Sequence, residues 1–133
     1  QHIIEINCQQ NIWLTSHAGA LAQVMSNLIL NSIKHGFEGM EQGTISIDIV
    51  ESKKSVLLTF HDNGRGLNKT DMNQLFDPFF TTMRGHGGSG LGTHLIYNLV
   101  TSSLKGKLQA RSAPGQGLTY NIKFPKKIDV SPT

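Results

Sequence analysis

Two stretches of the chain carry apolar residues at the spacing of an amphipathic helix. In the first stretch they recur every three or four positions, at Leu21, Val24, Met25, Leu28, Ile29 and Ile33. The second stretch repeats this spacing at Leu91, Leu95, Ile96, Leu99 and Val100. The pattern predicts one helix that follows an N-cap at Ser16 and ends near residues 36–39, and another over residues 91–104. A short helix is expected within residues 70–76.

Other segments alternate between apolar and polar residues, as strands with one buried face do. They cover residues 44–50, 56–60, 107–111 and 118–124. Short apolar stretches at residues 3–6 and 12–14 predict a hairpin or a broken edge strand. The order of these elements predicts an α+β fold, a two-layer α/β sandwich in which helices cover one face of a mixed, mostly antiparallel sheet. No pattern continues past residue 125, so we expect a domain over residues 1–125 and an unstructured tail over residues 126–133.

The composition excludes several classes of protein. At 133 residues, with 38% hydrophobic and 16% charged residues, the chain has the makeup of one globular domain. The single cysteine, Cys8, gives neither a disulfide framework nor a zinc cluster, and it favours a reducing compartment such as the cytoplasm. No apolar run approaches the ~20 residues of a membrane helix. The first residue is Gln rather than Met, so we expect a fragment or a processed piece.

The charge pattern gives little indication of a nucleic-acid partner. The net charge is +3, and the basic residues are scattered except for Lys53-Lys54 and Lys126-Lys127. Pairs of this kind are typical of a solvated surface. We therefore expect no nucleic acid to bind.

Glycine is concentrated in one part of the chain. Of 14 glycines, seven fall between Gly64 and Gly92. The segment Asp62-Asn-Gly-Arg-Gly66 follows an apolar strand. It predicts either a plain turn or a site where the carboxylate accepts a hydrogen bond from an amino group while the backbone approaches a flat ring.

The later glycines open directly onto the second predicted helix. Free backbone N–H groups and the helix dipole favour anions at such a place. The spacing of residues 85–92 matches neither the dinucleotide fingerprint nor a P-loop, so it predicts a phosphate-binding loop of another kind. Just before it, Leu75-Phe-Asp-Pro-Phe-Phe-Thr-Thr82 groups three phenylalanines around a proline. That segment predicts either a hydrophobic plug or the base of a mobile lid whose tip is formed by residues 83–88.

Polar side chains form a stripe on the first predicted helix, at Gln23, Asn27, Asn31 and Lys34, with His35 beside them. Asparagine is a poor residue in the middle of a helix, so two of them one turn apart need a reason. The stripe is either a solvated face or a row of amide oxygens and a cation directed at a polyphosphate. Amide oxygens suit Mg²⁺, which keeps several waters and takes few protein ligands.

Together these segments resemble the ATP-binding catalytic domain of bacterial sensor histidine kinases. That domain belongs to the superfamily shared with DNA gyrase, heat-shock chaperones and mismatch-repair proteins. Asn27–His35 is similar to the family's N box and Asp62–Gly66 to its G1 box. Phe76–Thr82 is similar to the F box and Gly88–Gly92 to the G2 box. The resemblance runs from about residue 3 to residue 125, and it implies the Bergerat-type ATP-binding fold.

The resemblance implies ATP and Mg²⁺ as ligands and a role for each matched residue. Asn31, helped by Asn27, would hold Mg²⁺, while Lys34 would meet a phosphate and His35 would lie beside the nucleotide. Asp62 would accept a hydrogen bond from the adenine amino group. The other ligand contacts would come from Gly64, Gly66, Arg84, Gly88, Ser89, Gly90, Leu91, Gly92 and, through water, Thr119.

The chain departs from the family pattern at three positions. Thr93 stands where a leucine is usual, Gly36 where threonine or serine is common, and Met83 where lysine is frequent. None of these changes removes an expected ligand contact. If the lid contacts a phosphate, Arg84 takes the place of that lysine.

The resemblance also implies a reaction. Members of the superfamily that hydrolyse ATP carry a glutamate as general base where this chain has Asn27, and asparagine cannot take up a proton. We therefore expect Asn27, Asn31 and Lys34 to serve phosphoryl transfer rather than hydrolysis. The γ-phosphoryl group would go to a histidine on an adjoining dimerisation domain, and from there to a response regulator receiver domain.

Two other functions stay open, a nucleotide-binding regulatory module without transfer and an anti-sigma-type serine kinase. Under the histidine-kinase hypothesis the isolated domain would be a monomer, and its parent a cytoplasmic or membrane-anchored homodimer.

Overall fold

One sheet organises the part of the chain that the computed structural model describes, residues 2–8, 11–73, 75 and 93–128. Within these ranges its strands are β1 (Ile3–Cys8), β2 (Thr44–Glu51), β3 (Ser55–Asp62), β4 (Lys107–Ser112) and β5 (Leu118–Pro125). Their order in the sheet is β1-β2-β3-β5-β4. The first pair is parallel and all other neighbours are antiparallel.

The helices of the same ranges are α1 (Ala18–Asn31), α2 (Lys69–Asn73) and α3 (Thr93–Asn98). The first and third each continue into a π-helical turn, Ser32–Gly36 and Leu99–Ser103. The amide that follows each turn bonds to the carbonyl five residues earlier, at 2.8 Å and 2.9 Å respectively. No helix within the described residues is long and apolar enough to cross a membrane.

The core lies between one face of the sheet and the helices. Its sheet side consists of alternate residues of the central strands, Ile45, Ile47, Val56, Leu58, Phe60, Tyr120, Ile122 and Phe124. Its helix side includes Val24, Leu28, Ile96, Val100 and Leu104. Intervening residues of the strands, such as Asp48, Thr59 and Asn121, fall outside this core. The predicted two-layer sandwich with a mixed, mostly antiparallel sheet is therefore confirmed.

The N-terminal prediction was only partly right. The edge strand β1 exists, but it runs parallel to β2 rather than pairing with residues 12–14. A parallel neighbour needs a crossover, which α1 provides. The N-cap is His17 rather than Ser16, because the first helical hydrogen bond runs from the Leu21 amide to the His17 carbonyl.

The chain after β5 is held by backbone hydrogen bonds. The sequence analysis expected no structure beyond residue 125. Instead, the Lys126 amide donates to the Lys54 carbonyl at 2.9 Å, and Thr15 exchanges hydrogen bonds with Lys126 and Ile128 at 2.8 Å. Residues 126–128 are therefore paired through their backbone with the segment before α1. Residues 129–133 of the predicted tail lie outside the described residues.

Neighbouring leucines of β3 test which face of the sheet is buried. Leu58 is 2% exposed and Leu57 is 42% exposed. We expect Leu58→Ala to lower the free energy of unfolding by about 2–5 kcal/mol, because it leaves a cavity in the core. Leu57→Ala is the matched control and should cost less than about 1 kcal/mol. Urea unfolding of both variants measures this, and equal losses would contradict the assignment of faces.

Candidate functional site

A cavity of about 250 Å³ opens where α1, the end of β3 and the start of β5 meet. Its walls include backbone and side chains from the N-box and G1-box segments. The described residues that line it are Leu28, Asn31, Ser32, His35, Gly36, Asp62, Arg65, Gly66, Leu67, Asn68, Asp71, Pro114, Leu118 and Tyr120. The fold thus brings together four of the predicted site residues, Asn31, His35, Asp62 and Gly66.

The carboxylate of Asp62 is the polar centre of this cavity. The residue is only 1% exposed. The Ser32 hydroxyl donates to Asp62 Oδ2 at 2.6 Å. The backbone amides of Gly64 and Leu118 donate to Oδ1 at 3.0 Å and 3.2 Å. Hydrogen bonds to a charged acceptor are stronger than neutral ones, so these three contacts set the orientation of the carboxylate.

The position of Asp62 follows from the alternation of β3. Val56, Leu58 and Phe60 point into the core, and Asp62 is the next residue on that face. An acidic side chain thus occupies a position that the pattern assigns to an apolar one. A buried charge costs several kcal/mol unless hydrogen bonds compensate for it. Such a group at the wall of a cavity is typical of a binding site.

Ser32 reaches the same point from the helix. Val24 and Leu28 are buried residues of α1 one turn apart, and Ser32 is the next position at this spacing. It is 3% exposed. The sequence analysis missed this residue, although a hydroxyl at a core position of an amphipathic helix was a visible signal. Leu118 and Tyr120 were also missed as lining residues, since only the pairing of β3 with β5 brings them here.

Tyr120 forms an apolar wall of the cavity beside Asp62. Its ring packs edge-on against Phe60, with ring centroids 6.3 Å apart. Burial raises the pKa of the Tyr120 phenol far above its ordinary value, and the negative charge of Asp62 raises it further. The phenol therefore remains neutral at physiological pH, and the wall presents an uncharged aromatic surface.

The two glycines of the G1-box segment lie close to the backbone of other segments, and Gly66 also lines the cavity. A Cβ on Gly64 would lie 2.3 Å from the Gly36 carbonyl oxygen. Gly66 has a φ of +73°, and a Cβ there would lie 2.1 Å from the Ala113 carbonyl oxygen. The approach of a flat ring to these glycines stays a prediction. In the structure they let the G1-box segment pack against the turn after α1 and against the β4–β5 turn.

Of the predicted site residues that the structure describes, four lie outside the cavity lining: Asn27, Lys34, Gly64 and Thr119. Asn27 is half-buried on α1 one turn before Asn31, and Lys34 is exposed on the π-helical turn. Thr119 bonds to His61 Nδ1 at 2.8 Å. The register pairs Thr119 with His61 and Leu118 with Asp62. Because side chains alternate along a strand, the Thr119 side chain lies on the opposite face of the sheet from Asp62. Its water-mediated contact with the base stays a prediction.

The predicted loop contacts cannot be placed in the same way. Arg84, Gly88, Ser89, Gly90, Leu91 and Gly92 lie outside the described residues. Thr93, the first described residue after them, is 4% exposed, and its hydroxyl donates to the Leu75 carbonyl. This contact satisfies the buried hydroxyl of Thr93.

Gly64 gives a direct test of the packing between the G1-box segment and α1. Gly64→Ala should lower the free energy of unfolding by about 1–3 kcal/mol, because the new methyl group overlaps the Gly36 carbonyl. The control is Gly19→Ala, where nothing lies within 4 Å of the new Cβ and the helix gains up to about 1 kcal/mol. Thermal or urea unfolding separates the two, and a neutral Gly64→Ala would contradict this packing.

The class of protein follows from this fold and from a family comparison. The family of histidine kinase-, DNA gyrase B-, and HSP90-like ATPases matches residues 16–128. The chain belongs to this family, which confirms the resemblance found in its sequence. Its relatives are sensor kinases of two-component signalling, so the chain is a histidine-kinase-type ATP-binding domain.

Curated relatives are similar across nearly the whole chain. Sporulation kinase A of Bacillus subtilis is 33% identical over 119 residues, which are 90% of this chain and 19% of that protein. The autoinducer 2 sensor kinase/phosphatase LuxQ of Vibrio parahaemolyticus is 32% identical over 131 residues, 94% of this chain and 15% of LuxQ. The chain therefore spans less than a fifth of the length of these two relatives.

Solved structures share the fold. The catalytic domain of histidine kinase ThkA matches with a TM-score of 0.78 and 22% identity, covering 96% of this chain and 80% of that one. The mycobacterial sensor histidine kinase MprB matches with a TM-score of 0.73 and 20% identity, covering 95% and 84%. At these identities the likeness establishes the architecture alone.

Proposed function

We propose that this domain binds Mg-ATP and donates its γ-phosphoryl group to a histidine on an adjoining dimerisation domain. The observation that carries the proposal is the buried carboxylate of Asp62 at the wall of a partly apolar cavity. It is oriented by Ser32, Gly64 and Leu118. A fixed, desolvated acceptor of this kind suits an exocyclic amino group, and adenine presents one at its edge.

The cavity walls also suit the rest of a purine nucleoside. Leu28, Leu118 and Tyr120 provide apolar surface for a flat ring next to Asp62. Pockets of this type bury most of a small ligand in apolar surroundings and orient it by a few polar groups. Asn31 and His35 line the cavity on the α1 side, where we place the phosphates and the ribose.

The residues present fit a magnesium ion held mainly by the nucleotide. Asn31 brings an amide side chain to the cavity wall, and Asn27 lies one turn earlier on the same helix. Within the described residues no group of three or more His, Cys, Asp or Glu side chains forms a metal cage. One amide ligand suffices for Mg²⁺ that keeps its waters and binds phosphates. When bound, the ion would neutralise phosphate charge; Lys34 would add a positive charge nearby.

Phosphoryl transfer depends mainly on positioning and charge neutralisation. Asp62 would fix the base, and Asn31 and Lys34 would fix the phosphates, so the γ-phosphoryl group would be presented to an external nucleophile. No carboxylate stands at position 27 to activate water, which favours transfer over hydrolysis. In the proposed parent protein, a homodimer whose catalytic part lies in the cytoplasm, the acceptor histidine would pass the group to a response regulator.

The adenine contact is tested by Asp62→Asn. We expect ATP binding to weaken by about 1–3 kcal/mol, because a charge-assisted hydrogen bond is lost. Isothermal titration calorimetry measures the affinity, and circular dichroism checks the fold.

Asp48→Asn is the matched control for that experiment. Asp48 is exposed on β2 and accepts a hydrogen bond from Asn7 at 2.9 Å, away from the cavity. Its variant should bind ATP like the unaltered domain. Unchanged ATP affinity in Asp62→Asn would refute the assignment of Asp62 to the base.

Transfer itself is tested with γ-labelled ATP and the histidine-bearing dimerisation domain of the parent protein. With Mg²⁺ we expect acid-labile phosphate on that domain and little free phosphate. Chelation of Mg²⁺ with EDTA is the control and should abolish transfer.

The same assay separates the alternative functions. Acid-stable phosphate on serine of a substrate protein would favour the anti-sigma-type kinase. ATP binding without transfer to any acceptor would favour the regulatory module, and rapid release of free phosphate would favour an ATPase.

A further inference from the structure

The hydrogen-bonding capacity of Asp62 is almost fully used within the protein. An ionised carboxylate has about four acceptor sites. Among the residues that the structure describes, the amides of Gly64 and Leu118 occupy both sites of Oδ1, and the Ser32 hydroxyl occupies one site of Oδ2. About one acceptor site therefore remains for a ligand.

Ser32 is the one donor among these three that is a side chain rather than a backbone amide. The two amides belong to the backbone of the G1-box segment and of β5, and backbone N–H groups are present in every residue except proline. The hydroxyl depends on the identity of residue 32. It is held firmly, since it is 3% exposed and its bond to Oδ2 is short, at 2.6 Å.

We propose that Ser32 determines nucleobase specificity by limiting Asp62 to one hydrogen bond from the base. This inference rests on the proposed function and adds a specificity-determining residue to it. Ser32 is a positioning residue, since it acts on the base through the carboxylate.

The chemistry of the two purines explains the effect. Adenine presents a single amino group at position 6 with no N–H group beside it, and one free acceptor site satisfies it. Guanine carries a carbonyl at that position, and its N–H donors at N1 and N2 are adjacent. With one site free, Asp62 could accept from only one of these donors, and a buried donor that loses its partner discriminates strongly between ligands. Removing the hydroxyl frees a second site on Oδ2.

The experiment compares dissociation constants for ATP and GTP, both with Mg²⁺, by calorimetry. The unaltered domain should prefer ATP. In Ser32→Ala we expect the ratio of the GTP constant to the ATP constant to fall by about tenfold, the equivalent of one hydrogen bond. A residue with a merely structural role would weaken both nucleotides equally and leave the ratio unchanged.

Two further variants complete the design. Ser26→Ala removes an exposed serine from the same helix and should change neither constant. Ser32→Cys keeps nearly the same volume with a much weaker donor, so it should lower the ratio in the same direction. It tests the inference even if Ser32→Ala does not fold.

The outcomes separate this inference from the function on which it rests. If the unaltered domain binds neither nucleotide, the proposed function fails. If it prefers ATP and the ratio in a folded Ser32→Ala or Ser32→Cys stays within twofold of the unaltered value, the role of Ser32 alone is refuted. A lower ratio in both variants supports it.

Discussion

The described part of the structure depends on one buried acidic side chain, the carboxylate of Asp62, and on the donors that surround it. Such a charge is tolerated because a helix hydroxyl and two backbone amides reach it from three different segments. The contacts therefore tie the end of α1, the G1-box segment and the start of β5 to one point. The cavity lies where these segments meet.

The connection between α1 and the end of β3 extends beyond this carboxylate. The Arg65 amide donates to the Gly36 carbonyl at 2.8 Å, and Gly64 lies directly against that carbonyl. The N-box and G1-box segments thus form one packed unit. In the proposed function, this packing would hold the base at Asp62 and the phosphates near Asn31 at a constant separation, as phosphoryl transfer requires.

Much of the fold and part of the site were predictable because they depend on local pattern. The alternation in β2, β3 and β5 predicted the strands and their buried face, and the helical spacing from Leu21 onwards predicted α1. The N-cap at Ser16 and the pairing of the N-terminal strand were wrong. The strand pairing depends on which distant segment becomes a neighbour, and no local pattern carries that information. The cap was displaced by one residue, because the first helical hydrogen bond runs from the Leu21 amide to the His17 carbonyl.

By itself, the sequence determined the family and the two-layer architecture, and it singled out Asp62 and Asn31, which line one cavity, since these follow from residue types at short spacings. Tertiary structure alone decided that Ser32 and Leu118 would donate to Asp62 and that Thr119 would face away. It also decided that the G1-box glycines would pack against the protein's own backbone. The physical reason is register. Strand pairing and the π-helical turn after α1 set which donors meet across 30 and 56 residues of sequence.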